Sequence, residues 1–317
     1  LCRMNPGERG ARPRPGRENR AQGGPAMGAG LRFAYRIIAP PEPASGLINT
    51  FYLIETYAPR IEEAIPAYSA QLVVMVRGRL EITYADGHTE RSGALVLNAP
   101  QLRAAQCVIE GPALILGASL THTAWQELAN LPADAVHDRL IAPETVLGPE
   151  EIAAFEAAAA ACAAGKAAPE TLCKPLVNVV AARRHALNPG HRRVIEAVLA
   201  WLAEGLEPSL GALQASVEVS PRQLQRICRR FFGVPPAQVL KRFRALRTAM
   251  VLAQPALSEE VRAQLLASYF DQAHLIRDIR RYTGRTPSQL HPDLISSGLL
   301  DPAAHGEAAA PIAAAKP

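Results

Sequence analysis

Short apolar runs separated by turn residues fill the chain from Leu31 to about Ile141. Turns such as Asp86-Gly87 and Ser92-Gly93 recur about every ten residues, which is typical of an antiparallel sheet closed into a barrel or folded into a sandwich. Small barrels of this kind often hold one small ligand at the mouth. Strands are predicted at Leu47–Glu55, Gln71–Val76, Leu80–Tyr84, Leu95–Leu97, Arg103–Ile109 and Ala113–Leu120, with further turns at Arg77-Gly78, Asn98-Ala99-Pro100 and Glu110-Gly111-Pro112.

Helical periodicity replaces this pattern further along the chain. It predicts helices at Pro149–Ala164 and Leu172–Leu187, a break at Asn188-Pro189-Gly190, and helices throughout His191–Leu290. The predicted fold class is therefore α+β. Its expected parts are a leader at 1–30, a β domain at 31–141, a helical linker region at 142–190, a helical domain at 191–290 and a tail at 291–317.

The two ends of the chain carry little patterned sequence. The first thirty residues contain six Arg and no apolar core, so we expect no secretory signal. Met27 precedes the first patterned segment, which suggests a reading frame extended upstream, and leader and tail are expected to be disordered. No run approaches the roughly 20 apolar residues of a membrane span. Five scattered cysteines argue against disulfides and zinc, and fit a reducing cytoplasm.

Charge is divided unevenly within a total of +5. Residues 191–290 hold fifteen Arg and Lys against eight Asp and Glu, a net charge of +7, and the leader holds six against two, or +4. The rest of the chain therefore carries −6. A basic module on an acidic body is expected where one domain meets a polyanion.

The basic region contains an internal repeat with an offset of 51 residues. Six positions match within eleven residues, and both copies read R-x-x-R-R-[F/Y]-x-G-x-x-P, from Arg226 to Pro236 and from Arg277 to Pro287. Such a match predicts a duplicated supersecondary unit.

Each copy has the sequence features of a helix-turn-helix. In the first, a helix at Ser209–Val217 and a turn at Glu218-Val219 precede a helix that Ser220-Pro221 begins and Gly233 ends. In the second, a helix at Ser258–Ala267 and a turn at Ser268–Phe270 precede a helix that Asp271 caps and that ends at Tyr282. The helical period buries Leu224, Ile227, Cys228, Phe231, Leu275, Ile279 and Tyr282, and exposes Arg222, Gln225, Arg226, Arg229, Gln272, Arg277, Arg280 and Arg281.

These exposed residue types suit the major groove of DNA. Arg reads guanine bidentately and Gln reads adenine, while helix N-termini and flanking basic residues hold phosphates. The helix predicted between the copies, Ala237–Ala253, spans roughly 25 Å and holds the recognition helices near one DNA turn apart. Its Lys241, Arg242 and Arg244 are expected off the apolar stripe, with Lys241 as at most a phosphate contact.

The chain resembles the AraC/XylS family of bacterial transcriptional regulators. The resemblance covers about Arg192–Leu290 and rests on Ser220-Pro221-Arg222-x-Leu224-x-Arg226, Gly233-x-x-Pro236, Leu240-x-x-x-Arg244, Asp271-Gln272-Ala273-His274-Leu275-Ile276-Arg277 and Gly284-Arg285-Thr286-Pro287-Ser288. It implies base contacts by Arg222, Gln225, Arg226, Arg229, Gln272, Ala273, Ile276, Arg277 and Arg280.

The resemblance also implies partners, and the chain departs from the family pattern at some positions. Double-stranded DNA, RNA polymerase, a small-molecule effector and a second copy of the chain are the expected partners. Gln214 and Gln264 stand where the family has a small Ala, Cys228 and Ile279 where it has Phe, and Glu218 and Ser268 where it has a turn Gly. Loss of a turn glycine destabilises the unit if that position needs a positive φ.

The β region resembles the cupin-type sensor domain of such regulators. Its histidines, His88, His122 and His137, lack ligand spacing and are expected to be exposed or satisfied by hydrogen bonds, so no metal, cofactor or catalytic residue is predicted. Two classes stay open: an effector-responsive DNA-binding regulator, and a cupin-like enzyme or ligand carrier with an accessory DNA-binding domain. Candidate pocket residues are Glu55, Tyr57, Tyr68, Arg79 and Tyr84.

Overall fold

The computed structural model describes residues 32–182, 184–253 and 271–290, together with Glu260, Ala263, Tyr269, Leu294 and Ile295. The predicted leader lies outside these residues. The predicted tail lies outside them except for Leu294 and Ile295, and so do the helix and turn predicted at 258–270 except for the three single residues named above.

The first part of the chain forms an antiparallel sheet, as the alternating apolar pattern predicts. Hydrogen bonds link its strands in the order β1-β2-β7-β4-β6-β8, with β3 on β7 and β5 on β4. The path has two unjoined ends, so the sheet is open and the closed-barrel alternative is wrong. The strands are β1 (Phe33–Ile38), β2 (Ile48–Thr56), β3 (Arg60–Ile65), β4 (Gln71–Thr83), β5 (Thr89–Arg91), β6 (Leu95–Asn98), β7 (Ala105–Leu120) and β8 (Leu140–Ile141).

Two long strands stand where the sequence predicts four short ones. β4 runs through Arg77-Gly78 and β7 runs through Gly111-Pro112, so both predicted turns are wrong. Gly78 has φ +83°, and an added Cβ there would lie 2.5 Å from the Glu110 carbonyl oxygen on the paired strand. The register of β4 against β7 shifts on both sides of Arg77. These glycines therefore allow close backbone approach at a bulge instead of reversing the chain.

The two faces of the sheet bury different apolar sets. Phe51 and Leu53 point to one face, where the first helices cover them, while Tyr52 and Ile54 point to the opposite face and line a cavity. This division follows from the two-residue period of a strand.

Helices follow the long strand β7. The helix α3 (Pro149–Ala163) confirms the predicted helix almost to the residue, whereas α4 (Cys173–Ala181) is shorter than the predicted 172–187. Beyond α4, Arg184 pairs with Glu151 at 2.5 Å and the His185 N–H donates to the Glu127 carbonyl at 2.9 Å. The helices are α1 (His122–Ala129), α2 (Ala133–Val136), α3 (Pro149–Ala163), α4 (Cys173–Ala181), α5 (Pro189–Ala203), α6 (Leu210–Ala215), α7 (Pro221–Phe232), α8 (Pro236–Leu252) and α9 (Gln272–Thr283).

The helical part has two cores of its own. One joins α5, α6, α7 and the start of α8 around Trp201 and Phe231. The other joins α8 and α9 around Leu246 and Ile279, and also includes Tyr68 from the sheet region. The described residues from Arg32 onward form one compact unit, so the sheet and the helical part pack against each other. None of the helices in the described part of the chain has the length and apolar character needed to cross a bilayer.

Candidate nucleic-acid interface

Helix α7 begins and ends where its sequence predicts. The Ser220 hydroxyl accepts a hydrogen bond from the Gln223 N–H at 3.2 Å, and Pro221 occupies the first turn, where its missing N–H costs nothing. Gly233, with φ +79°, ends the helix in the left-handed conformation. Caps at both ends fix the length of the helix. The predicted core side chains Leu224, Ile227, Cys228 and Phe231 are all buried.

The opposite face of α7 is basic and exposed. All four residues proposed from the sequence to contact bases there, Arg222, Gln225, Arg226 and Arg229, are exposed. These four residues occupy positions i, i+3, i+4 and i+7, so they form one stripe along the helix. The stripe is available to a partner on the side away from the helical core.

Helix α9 repeats this construction. The Asp271 carboxylate accepts from the His274 N–H at 2.6 Å, and Gly284, with φ +77°, ends the helix. Leu275, Ile279 and Tyr282 are buried as predicted. The five residues proposed to contact bases on this helix are all exposed: Gln272, Ala273, Ile276, Arg277 and Arg280. Ile276 is one of the few large apolar side chains exposed among the described residues.

The turn before α7 accommodates Gln214 and Glu218, which depart from the family pattern, through a hydrogen bond and an ordinary backbone conformation. The Gln214 amide, which stands where the family has Ala, donates to the Val219 carbonyl at 2.7 Å and so holds the turn. Glu218 stands where the family has Gly, but its φ is not positive, so no glycine is needed there. Gln264 and Ser268, the corresponding residues of the second unit, lie outside the described residues.

The linking helix α8 uses its basic residues for internal contacts. Lys241 lies 3.0 Å from the carboxylate of Asp278, a residue of α9 that is 1% exposed, and His274 and Arg244 lie 3.4 and 3.9 Å from the same group. These contacts fix α9 against α8. The expectation that Lys241 serves only as a phosphate contact is therefore wrong, because its ammonium group pairs with a buried carboxylate.

Two further arginines of α8, Arg242 and Arg247, are buried, and the expectation that Arg242 lies off the apolar stripe is wrong. Arg247 donates to the Leu202 carbonyl at 3.0 Å. Arg242 donates at 3.3 Å to the carbonyls of Phe232 and Gln101, and the latter belongs to the sheet region. Burial lowers the pKa of each guanidinium to about 10, so both stay charged at neutral pH. Helical periodicity missed them because it cannot distinguish a solvated Arg from one bound to main-chain carbonyls.

The C-terminal ends of both recognition helices are attached to the sheet region. At the end of α7, the Arg230 guanidinium donates to the Asn130 amide oxygen at 2.6 Å. At the end of α9, the Ala104 N–H donates to the Arg281 carbonyl at 3.0 Å. The Arg285 guanidinium, just beyond α9, lies 2.8 Å from the buried Glu63 carboxylate. These contacts hold the helix ends and leave the exposed stripes uncovered.

A histidine of the sheet region also packs on α7. The His122 ring lies 4.3 Å from the Phe232 ring, is 4% exposed, and its Nδ1 has no hydrogen-bond partner in the described protein. The expectation of an exposed or satisfied histidine is thus wrong at this position, whereas His88 and His137 lie beside Asp86 and Asp138 near the surface. In the part of the chain that the structure describes, no group of three metal-ligating side chains occurs.

A mostly apolar cavity with a volume of about 80 Å³ lies on the face of the sheet to which Tyr52 and Ile54 point. Its wall includes Ile54, Val73, Val96 and Ile115 from four strands. Of the pocket residues considered from the sequence, Tyr68 lines this cavity, while Tyr84 faces other clefts and Tyr57 is exposed at the surface.

Two capped helices with exposed basic stripes, joined by an anchored helix, define a DNA-binding protein of the helix-turn-helix class. Residues 213–291 match the family model described as a helix-turn-helix domain. The C-terminal part of the chain carries a helix-turn-helix domain of the AraC type, which supports a DNA-binding transcriptional regulator as the class of protein.

Solved structures with a similar arrangement have very different sequences. ToxT from Vibrio cholerae matches 81% of this chain and 97% of its own at 7% identity, with a TM-score of 0.42. ToxT from V. cholerae strain SCE256 bound to an unsaturated fatty acid matches 83% and 96% at 8% identity, with a TM-score of 0.44. The AraC-like transcriptional activator CuxR matches 76% and 88% at 12% identity, with a TM-score of 0.26. No curated protein sequence matches the chain.

Proposed function

We propose that this protein is a sequence-specific regulator of transcription that binds double-stranded DNA through α7 and α9. The observation that carries the proposal is the exposure, on two capped helices, of all nine side chains that the sequence assigns to base contacts. A helix of this diameter enters the major groove of B-DNA, where each base pair presents a distinct set of donors and acceptors.

The residue types divide into chemically distinct roles. Arg226 and Arg277 are equivalent in the repeat, and each can donate two parallel hydrogen bonds to a guanine. Gln225 and Gln272 suit adenine, and the exposed apolar Ile276 suits the methyl group of thymine. α8 has seventeen residues and is therefore about 25 Å long, which suits two half-sites about one DNA turn apart.

We further propose that the cavity of the sheet holds a small-molecule effector. Its support is the position of the cavity wall, because residues of that wall also contact the helical part. Glu63 pairs with Arg285, and the Gln101 carbonyl accepts from Arg242. A bound molecule would therefore touch residues that hold the linking helix α8 and the segment after α9. RNA polymerase and a second copy of the chain stay predictions of the family resemblance.

The proposal is tested by selecting binding sites from a random duplex library with the full-length protein. We expect an enriched site with two conserved blocks centred about 10 base pairs apart. Binding of the enriched duplex and of a scrambled duplex of equal length is then measured by fluorescence anisotropy at a fixed salt concentration. Enrichment of no sequence, or equal affinity for both duplexes, would overturn sequence-specific recognition.

Three matched alanine variants locate the reading face. Arg226→Ala and Arg277→Ala are each expected to cost about 1–3 kcal/mol on the enriched site and to relax preference within one half-site. Arg281→Ala removes the same charge from α9, but its guanidinium stacks on its neighbour Tyr282 near the sheet region. This control should weaken the enriched and scrambled duplexes by similar factors. If Arg226→Ala and Arg277→Ala behave like the control, these residues do not read bases.

A further inference from the structure

The cavity on the face of the sheet to which Tyr52 and Ile54 point is small and lined by side chains from several strands. Its volume of about 80 Å³ is about half that of an apolar protein cavity of about 150 Å³ that binds benzene. One aromatic ring is therefore the upper limit on the size of the occupant.

Buried amide groups interrupt this otherwise apolar wall. Three buried amide atoms of lining residues have no hydrogen-bond partner within the described protein: Gln71 Oε1, Asn98 Oδ1 and Gln101 Nε2. Asn98 and Gln101 are 5% and 2% exposed, and Gln71 is paired directly with Asn98 across β4 and β6. Unpaired buried amide atoms are costly, so a donor and acceptors without partners point to a ligand group that supplies them.

The wall offers no uncompensated charge at neutral pH. Glu63 is the one Asp or Glu among the described lining residues, and its carboxylate is paired with Arg285 at 2.8 Å. Burial raises the pKa of Cys107 to about 12 and raises that of Tyr52, so both side chains are neutral. A charged ligand would have to lose its water without gaining a counter-ion.

We propose that this cavity binds a small, uncharged and otherwise apolar molecule whose one polar group both donates and accepts hydrogen bonds, with Asn98 and Gln101 as the residues that recognise that group. Alcohols, phenols and primary amides belong to this class. The inference rests on the proposed effector function and deepens it by stating the chemistry of the effector.

The position of Gln101 connects this recognition to the DNA-binding part. Gln101 lines the cavity and its side-chain Nε2 is buried without a hydrogen-bond partner, while its main-chain carbonyl accepts a hydrogen bond from the buried Arg242 of α8. Its N–H donates to the Tyr68 carbonyl at 2.9 Å, and the Tyr68 ring packs with α8 and α9. A ligand that engages the Gln101 amide thus acts on the residue that holds the linking helix.

The test compares four probes of nearly equal size on the full-length protein: phenol, toluene, benzoate and benzylamine. Phenol and toluene differ by a hydroxyl in place of a methyl group, and the other two carry opposite charges. The melting temperature is measured as each probe is titrated. A ligand that binds only the native state stabilises it by RT ln(1 + [L]/Kd), so the shift at a given concentration reports the affinity. We expect phenol to bind about ten times more tightly than toluene, since its hydroxyl pairs atoms that otherwise stay unpaired. The charged probes should give no shift.

A substitution assigns the selectivity to the amide. Gln101→Leu is expected to abolish the tenfold preference for phenol while toluene still binds, and to leave the melting temperature without ligand unchanged or higher, because it removes an unpaired donor. Gln238→Leu, on the exposed side of α8, is the control and should retain the preference.

Three results would overturn the inference: equal shifts with phenol and toluene, a larger shift with either charged probe, or no shift with any probe. The comparison within the wild-type protein stands even if Gln101→Leu fails to fold. Binding of the enriched duplex is measured on the same preparation. Specific DNA binding without probe selectivity defeats this inference alone, and probe selectivity without specific DNA binding defeats the proposed function alone.

Discussion

Acidification should weaken the contact between α1 and α7 through a single buried histidine. His122 begins α1, its ring packs on that of Phe232, and it is 4% exposed. Burial, followed by the charge of the nearby Arg242, lowers its pKa from 6.5 to about 3. The imidazole is therefore neutral in the folded protein throughout the pH range in which an unfolded histidine becomes charged.

The sign and size of the effect follow from proton linkage. Between pH 6.5 and about 3 the unfolded chain binds a proton at this position and the folded chain does not, so the free energy of unfolding falls as pH falls. The slope approaches about 1.4 kcal/mol per pH unit well below 6.5, and the loss between pH 6.5 and 5.0 is about 1.7 kcal/mol. Above about pH 8 this residue contributes almost no pH dependence.

Urea unfolding at pH 7.5, 6.5 and 5.0 measures this loss for the wild-type protein and for His122→Gln. Carboxylates titrate in both proteins, so the difference between their pH profiles isolates the histidine. His191→Gln is the comparison, since its ring also packs on a phenylalanine of α7, Phe231, but is more exposed. Burial, followed by Arg230 and Arg226, lowers the pKa of His191 as well, so this variant should change the pH profile in the same direction but less than His122→Gln. If the wild-type protein and His122→Gln lose the same free energy between pH 6.5 and 5.0, His122 is not a buried neutral group and the reasoning is wrong.

Three further substitutions test how the recognition units are built and attached. Ser220→Ala removes the N-cap of α7 and should lower the free energy of unfolding by about 1 kcal/mol, measured by urea denaturation. Gly233→Ala places a Cβ at φ +79° and 2.6 Å from Leu102, and should cost about 1–2 kcal/mol in the same assay; no loss would contradict the left-handed cap. Arg285→Ala removes the cation that lies 2.8 Å from the buried Glu63 carboxylate and should cost about 3–5 kcal/mol, and a double variant that also replaces Glu63 with Gln should recover much of this loss.

The recognition helices could be predicted closely because their signals are local. Ser220, Pro221 and Gly233 bound α7 through hydrogen bonds and backbone angles that involve a few neighbouring residues. Asp271 and Gly284 do the same for α9. The exposed basic stripes follow from the helical period, whereas the full set of residues proposed to contact bases, including Ala273 and Ile276, is what the family resemblance implies.

Other features depend on residues far apart in the chain, and the sequence pattern misassigned them. Gly78 and Gly111 both look like turn residues, yet Gly78 lies where β4 pairs closely with β7, and Gly111 lies where β7 approaches the connection between β2 and β3. Their missing side chains make room for the Glu110 and Ala58 carbonyl oxygens respectively. Gln101 carries no sequence signal at all, since the burial of its amide and its bond to α8 arise only when the two parts of the chain meet. Contacts of this kind leave no period along the sequence.

The sheet region does more than carry a cavity, because it holds both recognition units at their C-terminal ends. α7 is held through Arg230 and Asn130, and the segment after α9 through Arg285 and Glu63. Both attachments are made to one continuous sheet and its adjoining helices, so the separation of the two exposed stripes depends on the sheet as well as on α8. Two half-sites on one face of a duplex require a fixed separation of the helices that read them. A change in the cavity wall at Gln101 or Glu63 would therefore alter the distance between the exposed stripes of α7 and α9, on which recognition of two half-sites depends. It would leave the side chains that face the DNA unchanged.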